Sequence, residues 1–296
     1  MKAIKRNPAG VGALCVAASA VLFGATPLLA ALSYAGGNNG VNMAFLRALL
    51  PLPVLMALGG KTRCTKAEWL DSMALGLLLF GCALLLYSSY AYLPVGLATS
   101  LHFLYPLYVS LYEAVAQKKP LTPLRIAGLI CGLAGVACFL VGTAGGGPAA
   151  GFALALLSGL CYSGYIIVLG RGRSGRLPSS LLMRNISVCG VALCGAVGLL
   201  GGKLTFSLTA EAWRYAALAA LLAAAVACRL FQHGVRLVGE STAALLSLFE
   251  PLCSVLLGFW LLREPMSPLK WLGCLMILCG VCFTIKGKAP APSCKS

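Results

Sequence analysis

Ten long apolar stretches separated by short polar gaps organise this chain: 10–34, 42–58, 69–90, 95–115, 124–142, 149–169, 181–201, 212–234, 241–262 and 268–286. A hydrocarbon core about 30 Å thick takes roughly 20 residues of α-helix, so each stretch predicts one membrane-spanning helix. A membrane β-barrel would show segments of about 10 residues in strict alternation, and the chain has no such run. The expected fold is therefore an all-α polytopic membrane protein of ten helices. Lys2, Lys5 and Arg6 precede the first stretch as they would in a secretory signal. Its apolar core is longer than the roughly 7–15 residues of a signal peptide, so it reads as the first membrane helix, kinked or loosened at Pro27.

Composition agrees with the pattern. Of 296 residues 60% are hydrophobic and only 10% charged, against about 25% charged in an ordinary soluble domain. Neither a soluble domain nor a disordered chain fits. The 23 Lys and Arg exceed the 7 Asp and Glu to give +16. With both termini on one side, sixteen basic residues fall in tails and loops there, and four (Lys203, Arg214, Arg263, Lys270) fall opposite. Arg47, Arg184 and Arg229 lie inside the spans. The positive-inside rule makes the first side cytoplasmic, which places the chain in the cytoplasmic membrane as a multi-pass protein with both termini inside. The basic residues are not clustered on a soluble face, so no nucleic-acid partner is expected. All four tryptophans (Trp69, Trp213, Trp260, Trp271) fall at span ends, as an interfacial belt requires.

The chain also repeats itself. Pro106, Pro120 and Pro123 recur as Pro251, Pro265 and Pro268 at one offset of 145, and Gly128 and Gly135 recur as Gly273 and Gly280 at the same offset. The turn chemistry recurs too: Thr122 and Ser267 can each cap a helix that opens on proline. The halves run 10–142 and 149–286, joined by a linker at 143–148 that contains Gly145-Gly146-Gly147-Pro148. Five helices is an odd number, so the second half must enter the membrane from the opposite side. Inverted repeats are a recurring plan of secondary transporters, with the substrate site near the midplane where the halves meet.

Two five-helix repeats, the Glu250-Pro251 pair and the run REPMSPLKWLGCLMILCGV resemble the drug/metabolite transporter superfamily, EamA type, over about residues 9–286. The resemblance implies a carrier of metabolites such as amino acids or sugars, or an exporter of toxic compounds. The first repeat departs from the family by carrying Gln117-Lys118-Lys119-Pro120, where an acid often precedes the turn, as Glu264 does in the second. Tyr105 stands at the position equivalent to Glu250, so the two halves should contribute unequally to a site.

An ionisable side chain deep in a span usually faces the protein interior or a wet cavity. Glu250, in the middle of the ninth stretch, reads as a cavity carboxylate for a cationic group or a coupling proton. The plainer alternative is a structural acid paired with an arginine or hydroxyl. Arg47 and Arg184 lie close enough to span ends to extend to the interface, and that reading is preferred to substrate contact. Arg229 is as good a partner for Glu250 as a substrate ligand, and His233 belongs near a solvated helix end. His102, Tyr105, Tyr108 and Tyr112 share one broad helical face, with Glu113 at its edge. Six of the ten tyrosines fall between residues 87 and 112. They read either as a cavity wall offering stacking and cation–π contacts or as helix-packing and interfacial rings.

Twelve of fourteen cysteines lie in the spans, and Cys279-x-x-Cys282 lacks a second ligand pair, so they read as small packing residues rather than metal or redox sites. No metal and no cofactor are expected. Gly128-x-x-x-Gly132 permits close helix approach within the fold or across a homodimer. Asp71 is the only aspartate, and no catalytic or nucleotide-binding motif appears, which disfavours an intramembrane enzyme. A passive channel would be expected to show a filter loop or charged ring, and none is evident. The leading expectation is a secondary carrier, exporting a small organic metabolite by alternating access.

Overall fold

The computed structural model describes residues 8–59, 64–93, 95–118, 121–138, 148–262 and 266–286, with no strand among the described residues. Helix α1 is Pro8–Ala35; α2 is Gly40–Leu49 followed by Leu52–Gly59; α3 is Lys66–Ser89. Helix α4 comes in two pieces, Val95–His102 and Tyr105–Val115, before α5 (Pro123–Cys138). The second half holds α6 (Ala149–Arg171), α7 (Ser179–Leu200), α8 (Ala210–Val238), α9 (Glu240–Leu246 and Phe249–Leu262) and α10 (Pro268–Lys286). Among the described residues eight segments are long and apolar enough to span a membrane, α5 is a shorter apolar helix, and α4 reaches comparable length only across its break. The chain is an all-α polytopic membrane protein built as two five-helix halves. Lys119, Pro120, Arg263, Glu264, Pro265 and the Gly145–Gly147 part of the linker lie outside the described residues.

Prolines decide where these helices break. A helical proline offers no N–H to the carbonyl four residues earlier, and its ring crowds that carbonyl. Stretches 95–115 and 241–262, expected as single helices, are interrupted at Phe103–Leu104 and at Ser247–Leu248, just before Pro106 and Pro251. Helix α2 is interrupted at Pro51. Helix α1, expected to loosen at Pro27, instead runs through it unbroken. There the Thr26 hydroxyl donates to the Phe23 carbonyl at 2.7 Å, which is the acceptor that Pro27 leaves unserved. Helix α8 carries a π-helical segment, Leu221–Ala227, within its 29 residues. At 1.5 Å per residue it spans about 43 Å, more than a bilayer core.

The repeat closes on itself through α5 and α10. A Cβ at Gly128 would sit 2.9 Å from the Gly280 carbonyl oxygen, and one at Gly135 would sit 2.7 Å from that of Gly273. Gly280 is the repeat counterpart of Gly135, and Gly273 that of Gly128, so each contact is the other's image under a pseudo-two-fold. Only glycine permits this approach, and here it is used within the fold. Nearby, Gly132 abuts the Leu248 side chain at the break in α9.

Candidate functional site

Four helices with internal prolines converge on one cavity between the halves. It is lined by α1 to α4 from the first half and by α6 and α9 from the second, with Phe23, Arg47, Tyr87, His102, Tyr162 and Glu250 among its walls. The lining side chains follow a rule. The residues four before Pro27, Pro51, Pro106 and Pro251 are Phe23, Arg47, His102 and Ser247; these bear the carbonyls that proline deprives of a donor. The first three line the cavity, and the Ser247 carbonyl accepts from the Glu250 amide at 2.9 Å.

Arg47 does not extend to the interface. Its Nη1 donates to the Tyr87 hydroxyl at 3.0 Å, and its guanidinium carbon lies 6.0 Å from the centre of the Phe23 ring. These contacts hold the charge inside the cavity in place of snorkelling. Glu250 enters from α9, whose backbone is brought close by Gly24 of α1: a Cβ there would fall 2.8 Å from the Glu250 carbonyl oxygen. Among the described residues no ion pair or hydrogen bond reaches the Glu250 carboxylate, and none joins it to Arg47 or Arg229.

His102 is fixed by α6. Its Nδ1 lies 3.0 Å from the Ser158 hydroxyl, which donates its own hydrogen to the Ala155 carbonyl at 2.6 Å. In the neutral ring Nδ1 is therefore the donor, leaving Nε2 an acceptor. Gly159 lets α6 approach this break, since a Cβ there would stand 2.8 Å from the His102 carbonyl oxygen. Tyr105 lies behind this wall, fully buried, with its ring 5.4 Å from His102 and 4.7 Å from Tyr162 between centroids. Tyr108 does not line the cavity; its ring lies near Gly159. The break at Phe103–Leu104 separates residues that an unbroken helix would align on one face.

Arg229 and His233 lie elsewhere, in an open groove beside the first turn of α7. The length of α8 explains it: the helix overshoots the bilayer core and carries Arg229 level with Pro178–Ser180, near a bundle end rather than beside Glu250. Cys279 and Cys282 are exposed rather than packed between helices, and the thirteen described cysteines are free. Sequence reasoning missed Phe23 and Tyr162 as cavity residues. The signal for Phe23 was available in its position four before Pro27.

Two further arginines join the halves on the side of the α4–α5 turn. Arg125 lies 3.4 Å from Glu113 and donates to the Thr242 hydroxyl at 3.0 Å. Arg171 donates to the Tyr112 hydroxyl at 3.1 Å and stands 3.6 Å from Glu240. The space in the cavity open to water-sized molecules is about 70 Å³, room for several waters at roughly 10–15 Å³ each.

The model of the EamA-like transporter family matches residues 10–141 and again 149–286. The permease-like protein YdzE of Bacillus subtilis is 38% identical over 68 residues, covering 23% of this chain and 87% of its own. An uncharacterized transporter of Archaeoglobus fulgidus is 27% identical, covering 63% of this chain and 66% of its own. The uncharacterized transporter YwfM of Bacillus subtilis is 28% identical over 57% of this chain and 56% of its own. The chain thus spans about two thirds or less of the two longer relatives in these matches. A protein of known crystal structure shares the fold at a TM-score of 0.79, with 22% identity across 93% of this chain and 97% of that one.

Proposed function

The chain belongs to the EamA-like transporter family, and from that premise we propose that it is a secondary carrier exporting a zwitterionic metabolite of amino-acid type across the cytoplasmic membrane. The observation that carries this reading is the placement of Arg47 and Glu250, one from each half, on a single cavity without mutual pairing. A guanidinium held by Tyr87 offers two parallel donors to a carboxylate. A carboxylate without a hydrogen bond or ion pair among the described residues can take an ammonium group or a coupling proton. His102 and Tyr162 supply rings for the rest of the molecule.

Alternating access supplies the mechanism. The cavity is small in this conformation, and substrate enters and leaves as the halves part. The contacts of Arg125 and Arg171 across the halves close the path on the basic, cytoplasmic side, while the broken helices α4 and α9 provide joints at the level of the site. Export then follows when that gate opens inward, substrate binds between Arg47 and Glu250, and the halves rock to the opposite face.

A panel of neutral, acidic and basic amino acids, amines and carboxylates, measured by thermal shift and then by uptake into proteoliposomes, tests the substrate class. The expected result is selective stabilisation and uptake of compounds bearing both charges. Equal responses to simple amines or simple carboxylates would contradict it.

A further inference from the structure

A groove distinct from the central cavity runs between α7 and α8, with a volume of about 510 Å³. One wall is Pro178 with Ser179 and Ser180, where α7 begins. The other is a stripe of α8 at the helical spacing i, i+3, i+4, i+7: Val226, Arg229, Leu230 and His233. Arg229 is poorly satisfied there. Its Nη1 reaches the Ala225 carbonyl at 3.3 Å, its buried Nε has no hydrogen-bond partner, and no carboxylate pairs with it among the described residues. Among the described residues no acidic side chain lines the groove. The 3₁₀ turn Arg173–Arg176 leads into Pro178 from outside the groove, where the Arg173 amide donates to Asp71 Oδ2 at 2.8 Å.

We infer that this groove binds an anionic phospholipid. The charge of the groove calls for an anion, and its other half offers apolar surface: Val226 is 42% exposed on the same face as Leu230, an edge suited to an acyl chain. A phosphodiester seated on Arg229 and His233, with its chain along Val226 and Leu230, satisfies both. The site lies apart from the cavity holding Arg47 and Glu250, so it does not depend on the proposed substrate. Its place beside the π-helical segment of α8 lets a bound lipid brace that helix against α7.

The test uses the full chain in a nonionic detergent, titrated separately with dioctanoyl phosphatidylglycerol, dioctanoyl phosphatidylcholine and inorganic phosphate, and followed by thermal shift. Saturable stabilisation is expected with phosphatidylglycerol alone. Arg229→Gln should weaken the apparent Kd roughly fivefold, as removal of one basic contact to an anionic lipid implies. Arg214→Gln, which removes an exposed arginine paired with Glu211 on the first turn of α8, should leave it unchanged. If Arg229→Gln fails to fold, Val226→Glu places a repelling charge on the exposed wall and should abolish the response. Equal stabilisation by phosphatidylcholine, or an unaltered Kd in both groove variants, overturns the inference. A matching shift with inorganic phosphate assigns the groove to a soluble anion and overturns the lipid.

Discussion

Arg47 and Glu250 line one cavity from opposite halves of the chain, and no ion pair joins them among the described residues. The two groups face the same cavity without direct contact, which leaves room between them for a ligand. That arrangement fits a ligand bearing both charges better than it fits a structural salt bridge.

If that ligand binds between them, each charge should report on its own end of the substrate. Arg47→Gln should raise KM about 10- to 150-fold, the loss expected for a charge-assisted hydrogen bond of about 1.5–3 kcal/mol. Tyr87→Phe, which removes only the hydroxyl that steadies the guanidinium, should raise it by a smaller factor. Initial uptake rates across substrate concentrations check both, and an unchanged KM in Arg47→Gln would remove that residue from the site.

The Arg125–Glu113 contact beside the α4–α5 turn should behave as a partly buried ion pair. The Arg125 and Glu113 side chains are 19% and 8% exposed, so Arg125→Gln leaves a carboxylate nearly buried and should destabilise by up to about 3–5 kcal/mol. Arg125→Gln with Glu113→Gln should recover part of that loss. Thermal melting of the two single variants and the double variant gives the coupling. Additive effects would mean that the pair does not act as a unit.

The pseudo-symmetric α5–α10 contact predicts a sharp contrast between glycines. Gly135→Ala, whose Cβ would fall 2.7 Å from the Gly273 carbonyl oxygen, should cost about 1–3 kcal/mol. Gly81→Ala meets nothing within 4 Å and should be neutral or slightly stabilising. Gly24→Ala belongs with the first group, and because it displaces Glu250 it should lower transport as well as stability. Melting temperatures rank the three, and equal costs would contradict the packing.

Much of this was legible in the sequence. Hydropathy gave ten helices, and a single offset of 145 exposed the repeat whose glycines later meet across α5 and α10. Glu250 stood out because a mid-span carboxylate is expensive. What hydropathy could not convey was the direction of long side chains. Arg47 was expected to extend to the interface, and only the position of Tyr87 on a different helix turns it inward. Arg229 was expected near Glu250 because its place within a stretch says nothing of how far α8 overshoots the membrane. His102 and Tyr105 share a face in an unbroken helix, but the break before Pro106 makes one a wall residue and the other a buried support.

Counterflow in proteoliposomes tests the central claim most directly. Vesicles are preloaded with an unlabelled amino acid that stabilises the protein, then diluted into the same compound in radiolabelled form. The wild-type chain should accumulate label transiently above equilibrium, as a carrier with an alternating site does, while Glu250→Gln of unchanged melting temperature should lose that overshoot. Simple equilibration by the wild type would indicate a channel, and a full overshoot in Glu250→Gln would contradict the role assigned to the cavity.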